Sequence, residues 1–324
     1  MPKTKQPDPS RQPSPPEALE EPIGLIAGWG SFPLEVAQRL HQQGRELYVV
    51  GLQDLATPQL ADFASGYREL GLLKFGQHFR FLRSHGVCNV LLAGKIFKDK
   101  VLFGGRGWIS YLPDWTCLRV LGASFVTKQK DARDDTVLNA IVGEYEKQGM
   151  SVLPITEVAP QLLCDTGDLT KGRVRRSARL DAEFGWKIAR QMGGLDVGQS
   201  ITVKDQVVLG VEAIEGTDAL IDRTAKLCPR GGFTLIKVAK PNQDMRFDVP
   251  TVGPRTVERM SRAGGTSIIV EAGRTILVER QTTLQLANRL GVHIAAFEDT
   301  SASIESGKTS ILSASAESQS IRIA

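Results

Sequence analysis

Residues 23–33 read IGLIAGWGSFP, an apolar run that leads into two closely spaced glycines and then a proline. The apolar run predicts a buried strand, and Pro33 fits the first turn of a helix, where a missing N–H costs nothing. Such a turn exposes backbone N–H groups at a helix N-terminus, which suits a phosphate. We therefore predict Gly28 and Gly30 as substrate-binding residues, with a tight turn that holds no ligand as the alternative.

The same turn is a weak match to a dinucleotide-binding fingerprint. That fingerprint requires a third glycine where Pro33 stands, and an acid after the second strand is only loosely supplied by Asp54. A nucleotide-dependent oxidoreductase is therefore kept only as the rival enzyme.

Outward from this turn, apolar runs alternate with amphipathic segments. Apolar runs at 47–52 and 89–93 follow amphipathic stretches, and apolar residues fall on one face of a helix predicted to follow an N-cap at Asp134 and to end at about Lys147. This βαβ rhythm indicates an α/β fold with a parallel sheet. We predict a Rossmann-like N-terminal domain over residues 21–167.

The second half pairs short strands with helices and predicts a C-terminal α/β domain of mixed sheet over residues 180–300. Between the domains, residues 168–179 (DLTKGRVRRSAR) carry five basic side chains and no large aromatic residue, which favours a linker. The Pro-rich residues 1–20 predict a disordered leader, and the Ser-rich residues 301–324 predict a similar tail.

Composition limits the class of protein. The 324 residues are 41% hydrophobic and 23% charged, so the chain can bury a core. A net charge of +4 is too small for a nucleic-acid footprint, and we expect no nucleic-acid partner. The four cysteines show no disulfide or zinc pattern, and no apolar run reaches the roughly 20 residues that span a bilayer. We therefore expect a cytoplasmic protein.

Polar residues crowd the predicted strand ends of the second half. Asp218, Asp244 and Asp248 lie in loops marked by glycine or proline, where α/β folds place catalytic groups. Carboxylates that meet there would form an oxygen site suited to Mg²⁺, and Lys240 would pair with the same phosphoryl oxygens. The alternative is that these acids only cap helices and support loops. The predicted substrate-binding residues in the same stretches are Gln199, Glu215, Thr217 and Gln243.

Two further features leave alternatives open. Asp134 and Asp135 precede a helix, where they either cap it or face the substrate. Residues 101–118 mix aromatic residues with glycines, so they either cover acyl chains at a membrane surface or fill a groove or subunit interface. The four histidines form no cluster, which disfavours a triad hydrolase.

Five stretches resemble the LpxI family in order and approximate spacing, and the resemblance covers residues 22–298. They are GLIAGWGSFP, DVGQS, VEAIEGTDALI, KVAKPNQDMRFDVPTVG and IIVEAGRTILVE. The resemblance implies a cytoplasmic homodimer that uses Mg²⁺, with Mn²⁺ as a second candidate. It also implies hydrolysis of UDP-2,3-diacylglucosamine to UMP and 2,3-diacylglucosamine 1-phosphate in lipid A synthesis.

The resemblance also assigns residues. The essential acid of the family's RxDxPTxG pattern falls on Asp248, with Gln243 and Asp244 beside it, and substrate is expected between the two domains. The family's Lys-Gly-Asp-Asp-like sequence is replaced here by Ala-Arg-Asp-Asp at 132–135, so only the two acids persist. A UDP-sugar sensor without catalysis is the alternative outside the enzymes.

Overall fold

The computed structural model describes residues 21–95, 114–119, 134–241 and 243–298, without the side chains of 134–137. The chain forms two compact units, Met1–Ala159 and Pro160–Ala324. The predicted leader and tail lie outside the described residues. Among the described helices, none is long and apolar enough to cross a membrane.

The first unit is built on a five-stranded parallel sheet with the strand order β3-β2-β1-β4-β5. This confirms the predicted Rossmann-like parallel-sheet fold, because every pairing in the sheet is parallel. Its elements are β1 (Ile23–Ala27), α1 (Phe32–Gln42), β2 (Leu47–Leu52), β3 (Gly66–Leu70), α2 (Phe75–Ser84), β4 (Asn89–Ala93), α3 (Asp134–Lys147), β5 (Ser151–Val152) and the short α4 (Ile155–Val158).

Two glycines close the turn between β1 and α1 against the end of β4. The N–H groups of Gly28 and Trp29 donate to the carbonyls of Ala93 and Lys95 at 2.7 and 2.9 Å. A Cβ on Gly94 would lie only 2.8 Å from the Gly28 carbonyl carbon, so neither position has room for a side chain. The amides of the turn that face β4 are therefore used within the protein.

His78, on α2, is a buried histidine of the first unit with 1% exposure. Its Nε2 donates to the Gly71 carbonyl at 3.0 Å, and its Nδ1 lies 3.4 Å from the Tyr145 hydroxyl, which then donates to it. Burial lowers the pKa of His78 from 6.5 to about 4, because the imidazolium loses its solvation. The folded unit therefore holds this ring in its neutral form.

We expect the free energy of unfolding of the first unit to fall as the pH drops from about 6.5 towards 4. In the unfolded chain His78 binds a proton at its ordinary pKa, whereas the folded ring does not until the pH nears 4. The free energy of unfolding is therefore about 3 kcal/mol lower at pH 4 than above pH 6.5. Urea unfolding with hydrogen exchange of the α2 amides measures the loss. His78→Asn should flatten the response, whereas the exposed His41→Gln should not; equal slopes in both variants would contradict the assignment.

The second unit is built on a six-stranded mixed sheet with the order β6-β13-β11-β9-β7-β8. Strands β9, β11 and β13 are parallel, whereas β6, β7 and β8 pair antiparallel with their neighbours. The predicted mixed-sheet domain is confirmed. Its elements are β6 (Gly167–Asp168), α5 (Arg176–Gly194), β7 (Ser200–Lys204), β8 (Val207–Val211), α6 (Gly216–Leu227), β9 (Thr234–Lys237), β10 (Thr251–Val252), α7 (Pro254–Arg262), β11 (Ser267–Glu271), β12 (Ile276–Leu277), α8 (Arg280–Leu290) and β13 (His293–Phe297).

Segment 168–179, predicted as a linker, instead belongs to the second unit. Asp168 accepts from the Val174 N–H at 2.9 Å and from Arg179 at 3.0 Å, and α5 already begins at Arg176. Helix α5 packs on β7 and β9, and a Cβ on Gly185 would lie 2.3 Å from Ile236 Cδ1. Of the basic residues in this segment, Arg176 and Arg179 lie on α5 itself, whose small residues Ala178, Ala182 and Gly185 are buried.

Candidate active site

Polar side chains collect at one edge of the second sheet, where the parallel strands β9 and β11 end. Ser200 opens β7 and pairs with Lys237 at the end of β9, and Glu271 closes β11. The N–H of Glu212, just after β8, donates to the Ser200 carbonyl at 2.8 Å. Since carboxyl ends of parallel strands place functional groups in α/β folds, this edge with loop 238–253 is the candidate site. We call it the strand-end site.

Thr217, in the first turn of α6, joins three of these side chains. Its hydroxyl donates to Glu212 Oε1 at 2.7 Å and lies 3.3 Å from Ser200 Oγ and 3.4 Å from Lys237 Nζ. A hydroxyl has a single proton, so Ser200 and Lys237 must both donate to it. Thr217 therefore holds Glu212 in place and has no proton left to donate to a ligand.

Gln243 organises the loop that follows β9. Its Oε1 accepts from the Lys240 N–H at 2.8 Å, while its Nε2 donates to Asp248 Oδ2 at 2.7 Å and lies 3.3 Å from Gln199 Oε1. The Asp248 N–H in turn donates to the Asp244 carbonyl at 3.0 Å. One amide side chain thus fixes both the path of the loop and the orientation of the Asp248 carboxylate.

Two ion pairs flank this loop. Arg246 donates through Nε to Asp244 Oδ1 at 2.9 Å and through Nη2 to Oδ2 at 2.6 Å. These hydrogen bonds hold the pKa of Asp244 below its ordinary value. Lys240 Nζ donates to Asp196 Oδ1 at 2.6 Å, and Asp196 is held in a left-handed turn with φ of 57°. The loop therefore carries both signs of charge in fixed positions.

Glu271 anchors the start of the loop from below. It is 2% exposed, and its Oε2 accepts from the Ala239 N–H at 2.8 Å. Arg190 of α5 lies 3.4 Å from Glu271 Oε1 and donates to the Ala239 carbonyl at 2.8 Å. The Glu271–Arg190 pair therefore hydrogen-bonds both backbone polar groups of Ala239, two residues after β9 ends.

The three predicted metal ligands do not share one site. Asp218 is 43% exposed in its side chain and lies 3.5 Å from both Arg255 and Arg259 on the side of α7, while Asp244 is chelated by Arg246. Across the described ranges, no three His, Cys, Asp or Glu side chains come together in a way that could hold a metal ion. Of the two or three carboxylates expected to bind the ion, Asp218 and Asp244 are thus paired with arginine side chains, while Asp248 accepts from Gln243.

The comparisons with known proteins cover both units. The sequence model of the LpxI N-terminal domain matches residues 22–162, and that of the LpxI C-terminal domain matches residues 165–295. The chain belongs to the LpxI family. A curated relative, UDP-2,3-diacylglucosamine pyrophosphatase LpxI of Caulobacter vibrioides, is 33% identical over 279 residues, which are 84% of this chain and 96% of that protein.

The two LpxI domains coincide with the two compact units. The unit boundary at Ala159/Pro160 lies within three residues of the end of the first match at 162. It also lies earlier than the boundary predicted from composition, because the basic segment 168–179 is built into the second unit. The strand-end site therefore belongs entirely to the LpxI C-terminal domain.

The structure brings together part of the predicted LpxI site. Gln199, Lys240, Gln243 and Asp248 share the hydrogen bonds around loop 238–253. Glu215, by contrast, turns to Arg223 of its own helix, at 2.8 Å. Asp134 begins α3, but its side chain and that of Asp135 lie outside the described residues, as do residues 101–113 of the aromatic segment.

Sequence analysis missed four residues that build this LpxI site. Each is a polar residue at or beside an apolar strand, and that position is the signal that could have revealed it, since a charge next to a buried strand needs a partner. They are Ser200, Glu212, Lys237 and Glu271, whose exposures are 1%, 8%, 8% and 2%.

Proposed function

We propose that this LpxI-family protein hydrolyses the pyrophosphate bond of UDP-2,3-diacylglucosamine and releases UMP and 2,3-diacylglucosamine 1-phosphate, a step of lipid A synthesis. The name of the 33% identical relative supports the substrate, and that relative aligns over nearly its whole length. The observation that carries the proposal is the carboxylate of Asp248, which Gln243 orients at 2.7 Å beside the lysines of the strand-end site.

The residues of the site have separate tasks in this proposal. Lys237 and Lys240 supply positive charge for the phosphoryl oxygens, whose negative charge grows in the transition state. Asp248 accepts a hydrogen bond from the attacking water and so sets the direction of attack. Gln243 is a positioning residue, because it acts through Asp248 and the loop backbone.

Mg²⁺ fits this site only if it binds together with the diphosphate of the substrate. Asp218 and Asp244 pair with arginine side chains, and Asp248, whose carboxylate Gln243 positions, is the predicted ligand that would hold the ion. Mg²⁺ is commonly bound by one or two carboxylates together with water and substrate phosphates, so one carboxylate is sufficient. The ion, or Mn²⁺ in its place, would neutralise phosphoryl charge.

The assay separates this proposal from its rivals. Purified protein with UDP-2,3-diacylglucosamine and Mg²⁺ should release equal amounts of UMP and the sugar 1-phosphate, and chelation by EDTA should suppress the release. Binding without release in Mg²⁺ and in Mn²⁺ would favour a sensor, and binding of NADH would favour an oxidoreductase. Homodimerisation remains a prediction that light scattering tests, and peripheral membrane contact one that vesicle sedimentation tests. The cytoplasmic location is a prediction as well.

A further inference from the structure

Glu212 has a buried carboxylate oxygen for which the described part of the chain offers no hydrogen-bond partner. The residue is 8% exposed, and its Oε1 accepts from Thr217, but its Oε2 is buried without a hydrogen bond. A buried carboxylate oxygen without a donor is costly, and such groups in native proteins call for an explanation. The proposed hydrolysis gives this oxygen no task.

The surroundings keep the carboxylate rigid. Glu212 is tied through its N–H to Ser200, and a Cβ on Gly198 would lie 2.1 Å from the Glu212 carbonyl oxygen. Thr217 fixes Oε1 and belongs to the first turn of α6, a helix of 12 residues. Since the first N–H groups of a helix have no partners inside it, the bond from Thr217 holds the Glu212 carboxylate at the electropositive end of α6.

The chemistry of the site limits the kind of group from which Oε2 can accept a hydrogen bond. A divalent cation is disfavoured, because the Lys237 ammonium lies 3.4 Å from Thr217 Oγ1, on the same network. A uracil ring offers its N–H between two carbonyl oxygens, which a carboxylate repels. A sugar hydroxyl has no such flanking acceptors and donates readily to a carboxylate.

We propose that Glu212 Oε2 accepts a hydrogen bond from a sugar hydroxyl of the substrate and is a specificity-determining residue of the strand-end site. The inference deepens the proposed function and takes from it the identity of the ligand as a UDP-sugar. The hydroxyl belongs either to the ribose or to the hexosamine ring, and the two sources give different results in the test below.

Glu212→Gln is the sharpest test. Glutamine keeps an acceptor for Thr217 and presents an N–H₂ group where Oε2 stood, so it reverses the hydrogen-bonding polarity towards the ligand. The variant also removes a negative charge near Lys237, which by itself would tighten the binding of an anion. A loss of affinity therefore marks the hydrogen bond and not the charge.

Calorimetric titration in EDTA, with UDP, 2′-deoxy-UDP and UDP-N-acetylglucosamine as probes, measures the effect apart from turnover. We expect Glu212→Gln to weaken binding by about 10- to 100-fold, the range for a hydrogen bond to a charged group. If the hydroxyl belongs to the ribose, Glu212→Gln weakens the binding of UDP itself. Removal of the 2′-hydroxyl then lowers the affinity of wild type more than that of the variant. If the hydroxyl belongs to the hexosamine, the variant binds UDP as wild type does and loses affinity only for UDP-N-acetylglucosamine.

Two variants complete the design. Glu258→Gln makes the same chemical change at an exposed carboxylate of α7 and should bind like wild type. Thr217→Val leaves Glu212 in place but removes the donor that orients it, so it should weaken the same probe even if Glu212→Gln fails to fold. Equal or tighter binding of every probe by folded Glu212→Gln, or no binding by wild type, would overturn the inference, while UMP release by wild type reports separately on the proposed function.

Discussion

Asp248→Ala is expected to lower kcat for UMP release by a factor of about 10²–10⁴, the range for removal of a group that assists proton transfer. The effect should fall on kcat more than on KM, because Lys237 and Lys240 remain to bind the phosphates. Far-ultraviolet circular dichroism should be unchanged, since Asp248 lies in a loop outside the helices and strands, where its carboxylate accepts from Gln243. The measurement is steady-state kinetics at saturating Mg²⁺.

The matched control for Asp248 is Asp222→Ala. Asp222 is an acid on the outer face of α6 with 54% side-chain exposure, paired with Arg259. Its removal should leave kcat within about twofold of wild type, because a surface ion pair contributes little. Activity of Asp248→Ala close to that of this control would remove Asp248 from the chemical step.

Glu271→Ala is expected to lower the free energy of unfolding of the second unit by about 3–5 kcal/mol, the cost of breaking a buried ion pair by removing one partner. The change removes the carboxylate that pairs with Arg190, 20% exposed in its side chain, and with Arg274, and that accepts from the Ala239 N–H. Urea unfolding followed by circular dichroism measures the loss at pH 7.

Glu258→Ala is the corresponding control for stability. Glu258 also pairs with an arginine, Arg262 at 3.4 Å, but the two side chains are 45% and 78% exposed. Such exposed pairs contribute about 0.2–1 kcal/mol, so this variant should unfold close to wild type. If Glu271→Ala and Glu258→Ala lowered the free energy of unfolding by the same amount, the contacts of Glu271 with Arg190 and Ala239 would not be stabilising.

Strands and helices with a clear pattern could be predicted from sequence alone. The apolar runs at 23–27, 47–52 and 89–93 form strands with those bounds, and the helix expected after an N-cap at Asp134 spans Asp134–Lys147. Strand β3 (Gly66–Leu70) was missed, because at the sheet edge its burial is partial and its sequence GYREL has no apolar alternation. Helix α5 was missed for a related reason, since it buries alanine and glycine where a pattern of large apolar residues was sought.

The site could be predicted only in part for a different reason. Gln243 and Asp248 are close in sequence, so the contact between them lies within the reach of a motif. The contacts of Glu212 with Thr217 and of Lys240 with Asp196 depend on how β7, β8 and β9 pair, which the sequence does not display. The pairing of Asp218 with Arg255 and Arg259 likewise depends on how two helices pack, whereas Arg246 lies only two residues from Asp244 and its pairing was within the reach of sequence.

The position of β13 between β6 and β11 bears on how the protein is made. Thr170, just after β6, exchanges hydrogen bonds with Ile294, 124 residues later in the chain. During synthesis the first unit can fold as soon as it leaves the ribosome, since domains fold as units from the N-terminal side. The second sheet must wait for β13, the last of its strands to be synthesised, so the unit that carries the strand-end site cannot be complete until residue 297 has been added.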